Sequence, residues 1–333
     1  MKENVFVTRE IPSEGLDIIR SNFETTVWQP EVPPTRDEIV EKAAGCAGLV
    51  TLLTDSIDSL VIQSLPDLKA IAQYAVGFDN IDVKFATSRG IVVTNTPGVL
   101  TETTADLAWA LIMAASRGIP QADRYVKDGK WKVGWGPMML LGNDIYGATL
   151  GVIGMGRIGS AVAHRAKGFS MKILYTDPFE NETTKSVEKE IGATRTDLET
   201  LLREADIVTI HVPLNPETRG MIDEKELDIM KPGAVLVNTS RGAVINEFAL
   251  ANALRSGHLR SAGLDVFIEE PLPADSSLLK LQNVVLTPHI ASASFATRAR
   301  MATMCAENLI AALRRERPPN VVNPDVFDYD LQL

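Results

Sequence analysis

Gly154, Gly156 and Gly159 form a G-x-G-x-x-G pattern in the segment TLGVIGMGRIGSAVAHRA. An apolar strand pattern, Leu150–Ile153, precedes them and a helical pattern follows, which is the context that pyrophosphate binding requires. Gly154 permits the tight turn, Gly156 lets the backbone approach a pyrophosphate, and Gly159 lets the helix pack close to the sheet. The amides of Arg157 and Ile158 open that helix and face the phosphates, aided by the helix dipole. The next strand, KILYTD, ends on Asp177, 18 residues after Gly159. An acid there accepts hydrogen bonds from adenosine ribose hydroxyls and repels a 2′-phosphate. No arginine stands at Pro178–Glu180 to receive such a phosphate, so the pattern favours NAD(H) over NADP(H). The plain alternatives are a glycine-rich turn without ligand and an ordinary acid at a strand end.

A second group of residues suits chemistry on a small 2-hydroxy or 2-keto acid. That chemistry needs a cation for the carboxylate, a proton donor and acceptor at the carbonyl oxygen, and a group that tunes the donor. Arg241, in VLVNTSRGAV, follows an apolar strand and offers a planar fork for a carboxylate. His289, in VVLTPHIAS, also follows an apolar strand, and an imidazole changes protonation near neutrality. Glu270, in LDVFIEEPL, stands directly before Pro271; a carboxylate beside the imidazole orients it and favours the imidazolium. Glu269 competes for that role. The bland readings are a surface arginine, a structural histidine and an exposed loop acid. His164 sits within the helix after the glycine turn, His211 ends a strand beside the expected cofactor, and His258 lies in a turn. No histidine pair has metal-ligand spacing and no cysteine lies near one, so no metal site is expected. There is no G-x-S-x-G nucleophile elbow.

These residues must be positioned by a scaffold, and the chain reads as repeated β-strand and helix units. Strand patterns occur at Asn4–Thr8, Thr25–Trp28, Gly48–Leu53, Lys69–Tyr74 and Ile91–Thr94, with helical stretches such as Pro12–Asn22 and Arg36–Ala44 between them. A long helix is predicted from about Glu102 to Asp128, kinked or divided at Gly118–Pro120, followed by a loop, WKVGWGPMMLLG. The alternation restarts with strands Thr149–Ile153, Lys172–Thr176, Ile207–Val212, Ala234–Asn238, Ser261–Val266 and Val284–Thr287. Helical stretches include Arg157–Lys167, Leu198–Glu204, Glu224–Met230, Glu247–Ser256 and a last one near Ser294–Arg314. Such alternation indicates α/β architecture with doubly wound parallel sheets. The 333 residues suggest two domains.

Composition excludes several classes. The chain has 33 Lys and Arg against 43 Asp and Glu, a net charge of −10, which disfavours a general nucleic-acid binder. Only two cysteines are present, Cys46 and Cys305, so a disulfide scaffold and a cysteine-rich zinc module are out. The opening MKENVFVTRE lacks a signal-peptide apolar core, and the longest apolar run, Leu107–Ala115, is too short to span a bilayer. A cytoplasmic enzyme without a membrane partner is expected. Because an acidic protein repels anions at long range, Arg241, His289 and the amides after Gly156 must supply local positive potential.

Seven ordered blocks carry a resemblance over essentially the whole chain: QYAVGFDNID, GIVVTNTPGVLTETTADLA, YGATLGVIGMGRIG, HVPLNPETRGMID, MKPGAVLVNTSRGAVIN, AGLDVFIEEPLP and NVVLTPHIASAS. The chain resembles the D-2-hydroxyacid dehydrogenases, and within them looks most like the glyoxylate and hydroxypyruvate reductases. The resemblance implies two Rossmann-like domains, with a cofactor domain (100–287) inserted into a flavodoxin-like substrate domain (1–99 and 288–333). It implies His289 as general acid/base, Glu270 as its partner and Arg241 as substrate anchor, with Arg241 and His289 touching both substrate and cofactor. It places the amides of Val76 and Gly77 on the substrate carboxylate and Leu53 beside a small substrate. It lines the cofactor with Thr104, Pro213, Thr239, Ser240, Asp265 and Ser292 besides the glycine turn. A homodimer is implied, with Trp131–Leu141, including Trp135, Met138 and Met139, packing within the subunit or across the dimer. Relatives that use NADPH carry an arginine after the second strand, where this chain has Asp177-Pro178. D-lactate, phosphoglycerate or phosphite dehydrogenation, or NAD sensing without catalysis, are the alternatives.

Overall fold

The computed structural model describes residues 2–327. It contains two separate parallel sheets. The first has five strands: β1 (Asn4–Val7), β2 (Glu24–Val27), β3 (Gly48–Thr51), β4 (Ala70–Gln73) and β5 (Val92–Thr94). Their order is β2-β1-β3-β4-β5, the flavodoxin-like order. The second has seven: β6 (Thr149–Ile153), β7 (Lys172–Thr176), β8 (Thr194–Arg195), β9 (Ile207–Ile210), β10 (Val235–Asn238), β11 (Ser261–Leu264) and β12 (Val284–Leu286). Their order is β12-β11-β10-β9-β6-β7-β8, a Rossmann order with one added strand. The fold class expected from the alternation of elements is therefore observed. Strands β3, β4, β9, β10 and β11 are buried along their whole length, as strands covered by helices on both faces must be.

The chain divides into two compact units. One is formed by the chain up to Leu100 with the segment from Ser292 onward, and the other spans Thr101–Ala291. The second boundary thus falls after Ala291 and not at 287/288 as read from sequence, and His289 belongs with the seven-stranded sheet. The reason is local: the amides of His289, Ile290 and Ala291 all bond Asp265, at the end of β11. Met1 and residues 328–333, assigned in sequence to the first domain, lie outside the described residues.

In the first unit, the C-terminal helix Phe295–Leu313 returns to pack on the helix Ser13–Asn22 and on β4. Close approach is possible because Gly15 faces Ala302; a Cβ there would lie 2.2 Å from the Ala302 carbonyl oxygen. Farther on, Asn323 closes the sheet edge, accepting from the Val93 amide at 2.8 Å and donating to the Ile91 carbonyl at 2.9 Å. In the second unit, the long helix is divided as the sequence suggests. Gly118, at φ 60°, separates Thr101–Arg117 from Ile119–Lys127. The 131–142 stretch has neither helix nor strand. Two short helices, Ser59–Gln63 and Val83–Ser88, escape sequence reading because they are too short for an apolar period and are set by the caps Asp58 and Asp82. The helix Glu182–Ile191 is almost wholly polar outside Val187 and Ile191, and β8 has only two residues, so neither leaves a clear pattern. Among the described residues no helix is long and apolar enough to cross a membrane.

If the Gly15–Ala302 approach holds the terminal helix to the first unit, Gly15→Ala lowers stability by about 1–3 kcal/mol through overpacking. Denaturant unfolding followed by circular dichroism measures this, and an unchanged midpoint contradicts it.

Candidate active site

Every strand of the second sheet runs in the same direction, so the loops that leave their C-terminal ends share one edge. Along that edge the order is His289 after β12, Asp265 and Glu270 after β11, and Thr239–Arg241 after β10. Then follow His211–Pro213 after β9, the glycine turn after β6, Asp177 after β7 and Arg195 ending β8. The strand order reverses between β9 and β6, the place where open α/β sheets receive ligands.

The three glycines of the turn are required for three different reasons. Gly154 has φ +92°, and a Cβ there would also press on the His211 carbonyl at 2.9 Å. A Cβ on Gly159 would lie 2.0 Å from the Gly154 oxygen, so the helix Arg157–Ala166 could not start where it does. Gly156 instead faces open space. Asp177 is tied to this turn: its Oδ2 accepts the Met155 amide at 2.8 Å and its Oδ1 the Phe179 amide at 2.9 Å. On the far side of the switch point, the Thr239 hydroxyl oxygen is buried with no hydrogen-bond partner among the described residues. An open cradle at Gly156, helix amides at Arg157 and Ile158, and an orphaned hydroxyl at Thr239 are features that fit a bound dinucleotide. His211 lies beside the turn, its Nε2 2.9 Å from Thr209 Oγ1; desolvation pushes its ring down to about 3 and keeps it neutral.

At the other end of the edge, His289 Nδ1 lies 2.7 Å from Glu270 Oε2. The two side chains are 27% and 31% exposed, enough to meet a substrate and enclosed enough for their charges to matter. Glu270 Oε1 accepts the Phe267 amide at 3.0 Å, which fixes the carboxylate from its other side. Burial opposes ionisation of Glu270, but the His289 ring, the Phe267 amide and the Arg241 charge outweigh it and hold its carboxyl below the usual range. Arg241 follows β10, the strand beside β11, and its charge adds to the forces that keep Glu270 ionised. Glu269, the competing acid, is exposed.

Several residues that build this arrangement carry no obvious sequence signal. His289 has φ 52°, a left-handed conformation uncommon outside glycine, and the strain is held by its surroundings. Asp265 supplies most of the restraint. It is fully buried; its Oδ1 accepts the Thr287 hydroxyl at 2.6 Å and the Ile290 amide at 2.9 Å, and its Oδ2 the Ala291 amide at 2.8 Å. Burial raises its carboxyl, and these donors partly offset that. The loop bearing Arg241 is shaped by Asn238, which accepts from the Ser240 amide and hydroxyl and donates to the Arg241 carbonyl at 2.9 Å. Gly242 completes it, since a Cβ there would meet the Phe267 backbone at 1.9 Å. Asn238 could have been suspected as a polar residue ending an apolar strand; the contact of Gly242 could not.

Of the remaining residues singled out by sequence, Thr104 is buried on the helix Thr101–Arg117, Ser240 and Arg241 are half-buried, and Pro213 begins an exposed loop with its carbonyl accepting from Thr218 Oγ1 at 2.6 Å. Leu53, Val76, Gly77 and Ser292 belong to the other unit. There, Val76 and Gly77 follow β4, and their carbonyls accept from Asn95 Nδ2 at 2.8 Å and Gln73 Nε2 at 3.1 Å. Trp135 and Met138, at 76% and 79% exposure, stand out from the surface of the second unit.

The comparisons with known proteins bear on this geometry. Residues 109–291 match the pattern of the D-isomer specific 2-hydroxyacid dehydrogenase, NAD binding domain. A glyoxylate reductase of Korarchaeum cryptofilum is 60% identical over 326 residues, covering 98% of this chain and 97% of the relative. The crystal structure of a Thermus thermophilus protein superposes with a TM-score of 0.89 at 45% identity, covering 96% of this chain and 99% of that one. An NADPH-dependent glyoxylate/hydroxypyruvate reductase of Sinorhizobium meliloti, solved with NADP and malonate, gives 0.84 at 32% identity, covering 97% of each chain. With likeness of this extent over both sheets, and the Gly-rich turn and His–Glu pair on one sheet edge, the chain belongs to the D-isomer-specific 2-hydroxyacid dehydrogenases.

Proposed function

We propose that this protein reduces glyoxylate, and hydroxypyruvate as a second substrate, to the corresponding hydroxy acid. The observation that carries the reading is the 2.7 Å His289–Glu270 pair beside the charge of Arg241, in a chain 60% identical to a glyoxylate reductase. The glycine turn, the amides of Arg157 and Ile158, Thr104, Asp177, Pro213, Thr239, Ser240 and Asp265 are the residues that would hold the nicotinamide cofactor. When bound, that cofactor supplies the hydride. The guanidinium of Arg241 pairs with the carboxylate of the keto acid, and its planar fork orients the carbonyl. His289, as imidazolium, donates the proton that the carbonyl oxygen takes up on reduction. Glu270 holds Nδ1–H and offsets the positive charge, so the ring keeps its orientation through the step. In the first unit, the amides of Val76 and Gly77 have no acceptor among the described residues, which suits them to a carboxylate, and Leu53 favours a small substrate. Asp177 supports a preference for NADH, because its fixed carboxylate repels a 2′-phosphate. The exposed Trp135, Met138 and Leu141 support a homodimer, since so much apolar surface in one segment is rarely left in water.

Three measurements test these assignments. In a panel of glyoxylate, hydroxypyruvate and pyruvate with NADH and NADPH in parallel, glyoxylate with NADH is turned over fastest, and His289→Asn lowers turnover by about 10²–10⁴-fold. Failure to oxidise NADH with any of the three sinks the function, and an active His289→Asn variant sinks the acid/base role.

The Glu270 carboxyl is held below the usual value, so the stability it contributes is complete above the ordinary carboxylate value of about 4.3 and is lost as pH falls through its lowered value. The Tm gap between wild type and Glu270→Gln is accordingly full at neutral pH and closes in acid. A gap independent of pH contradicts the ionic pair.

Light scattering gives the mass in solution; a dimer is expected for wild type, and conversion to monomer on replacing Trp135 and Met138 by serine. A monomeric wild type refutes the interface.

A further inference from the structure

Asp177 stands where ribose hydroxyls are bound, and Pro178–Glu180 contains no arginine. The fold brings one in from another element. Strand β8 pairs with β7 in the register Tyr175↔Arg195, so the Arg195 side chain starts two positions from the Asp177 level of the sheet edge. Its Nη2 reaches the Asp177 carbonyl at 2.7 Å and the Pro178 carbonyl at 3.4 Å. Its Nη1 lies 3.9 Å from Glu180 Oε2, and Glu180 also faces Lys185 Nζ at 3.5 Å. The Arg195 side chain is 39% exposed, and its partners at this site are backbone carbonyls and one loop acid whose side chain is 57% exposed. None of these binds it as strongly as a phosphate would.

We propose that Arg195 makes the end of β7 a latent phosphate subsite, and that Asp177 alone keeps a 2′-phosphorylated adenosine out of it. A phosphate on the ribose 2′ oxygen would displace Glu180 from the guanidinium, and the exposed loop that carries Glu180 has few buried contacts to resist this. What it would meet unavoidably is the Asp177 carboxylate. Both Asp177 oxygens accept backbone amides, from Met155 and Phe179, so the carboxylate cannot swing aside. The discrimination between the two cofactors is thus a balance of one fixed anion against one available cation, and a single change of charge tips it. The inference rests on the proposed reading of Asp177 as the ribose-binding acid.

The test is direct binding, without turnover. The Kd values of NADH and NADPH are measured by fluorescence titration for wild type, Asp177→Asn, Arg195→Ala and the double variant. Asp177→Asn shifts the NADPH-to-NADH Kd ratio by about tenfold or more in favour of NADPH, and adding Arg195→Ala removes most of that shift. A ratio that responds to Asp177→Asn equally with and without Arg195 overturns the role of Arg195. If Asp177→Asn weakens NADH but brings no gain for NADPH, the latent subsite is overturned while the ribose role of Asp177 stands. If Asp177→Asn leaves NADH affinity as it was, the reading of Asp177 fails and takes the proposal with it.

Discussion

One buried carboxylate holds the reactive edge of this protein together. Asp265 is fully enclosed at the end of β11, and burying a charge is costly unless hydrogen bonds offset it. Its three donors, the Thr287 hydroxyl and the amides of Ile290 and Ala291, all come from the turn that follows β12. That turn contains His289, whose left-handed backbone would not persist without such restraint. The same Asp265 begins the loop that ends on Glu270. A single residue therefore sets both partners of the His289–Glu270 pair, one through its side chain and one through the chain.

The rest of the site follows from the parallel sheet. Neighbouring strands lie about 4.8 Å apart, so side chains leaving alternate strand ends stand about 10 Å from each other. Arg241 and His289 are in that relation, and Glu270, from the loop between them, is under the influence of both. Because the strand order reverses at β6 and β9, one half of the edge carries this charged group and the other carries the glycine turn and Asp177. The separation of Arg241, Glu270 and His289 from the glycine turn and Asp177 is thus a property of topology before it is a property of any side chain.

Net charge misleads at this scale. The chain carries −10 overall, yet Arg241 and the open amides at Arg157 and Ile158 concentrate positive potential along a few strand ends. One acid, Asp177, stands within the same strip, and its two backbone donors tie it to Met155 in the turn and to Phe179 just beyond the strand.

Much of this was legible in the sequence, because the relevant signals are local. The apolar strands, the glycine spacing, the acid 18 residues on, and the Arg, Glu and His after successive strands all appear within short windows. Tertiary structure decided what depends on residues distant in sequence. Gly242 matters because Phe267 packs on it, Asn238 because it folds back on Arg241, and Arg195 because a two-residue strand sets it beside β7. The assignment of His289 to the second unit was decided in the same way, by hydrogen bonds to a residue 24 positions earlier. Residue types and their local periods specify which elements form and which groups they carry. Register, strand order and the burial of a carboxylate depend on long-range packing, and these determine which groups meet.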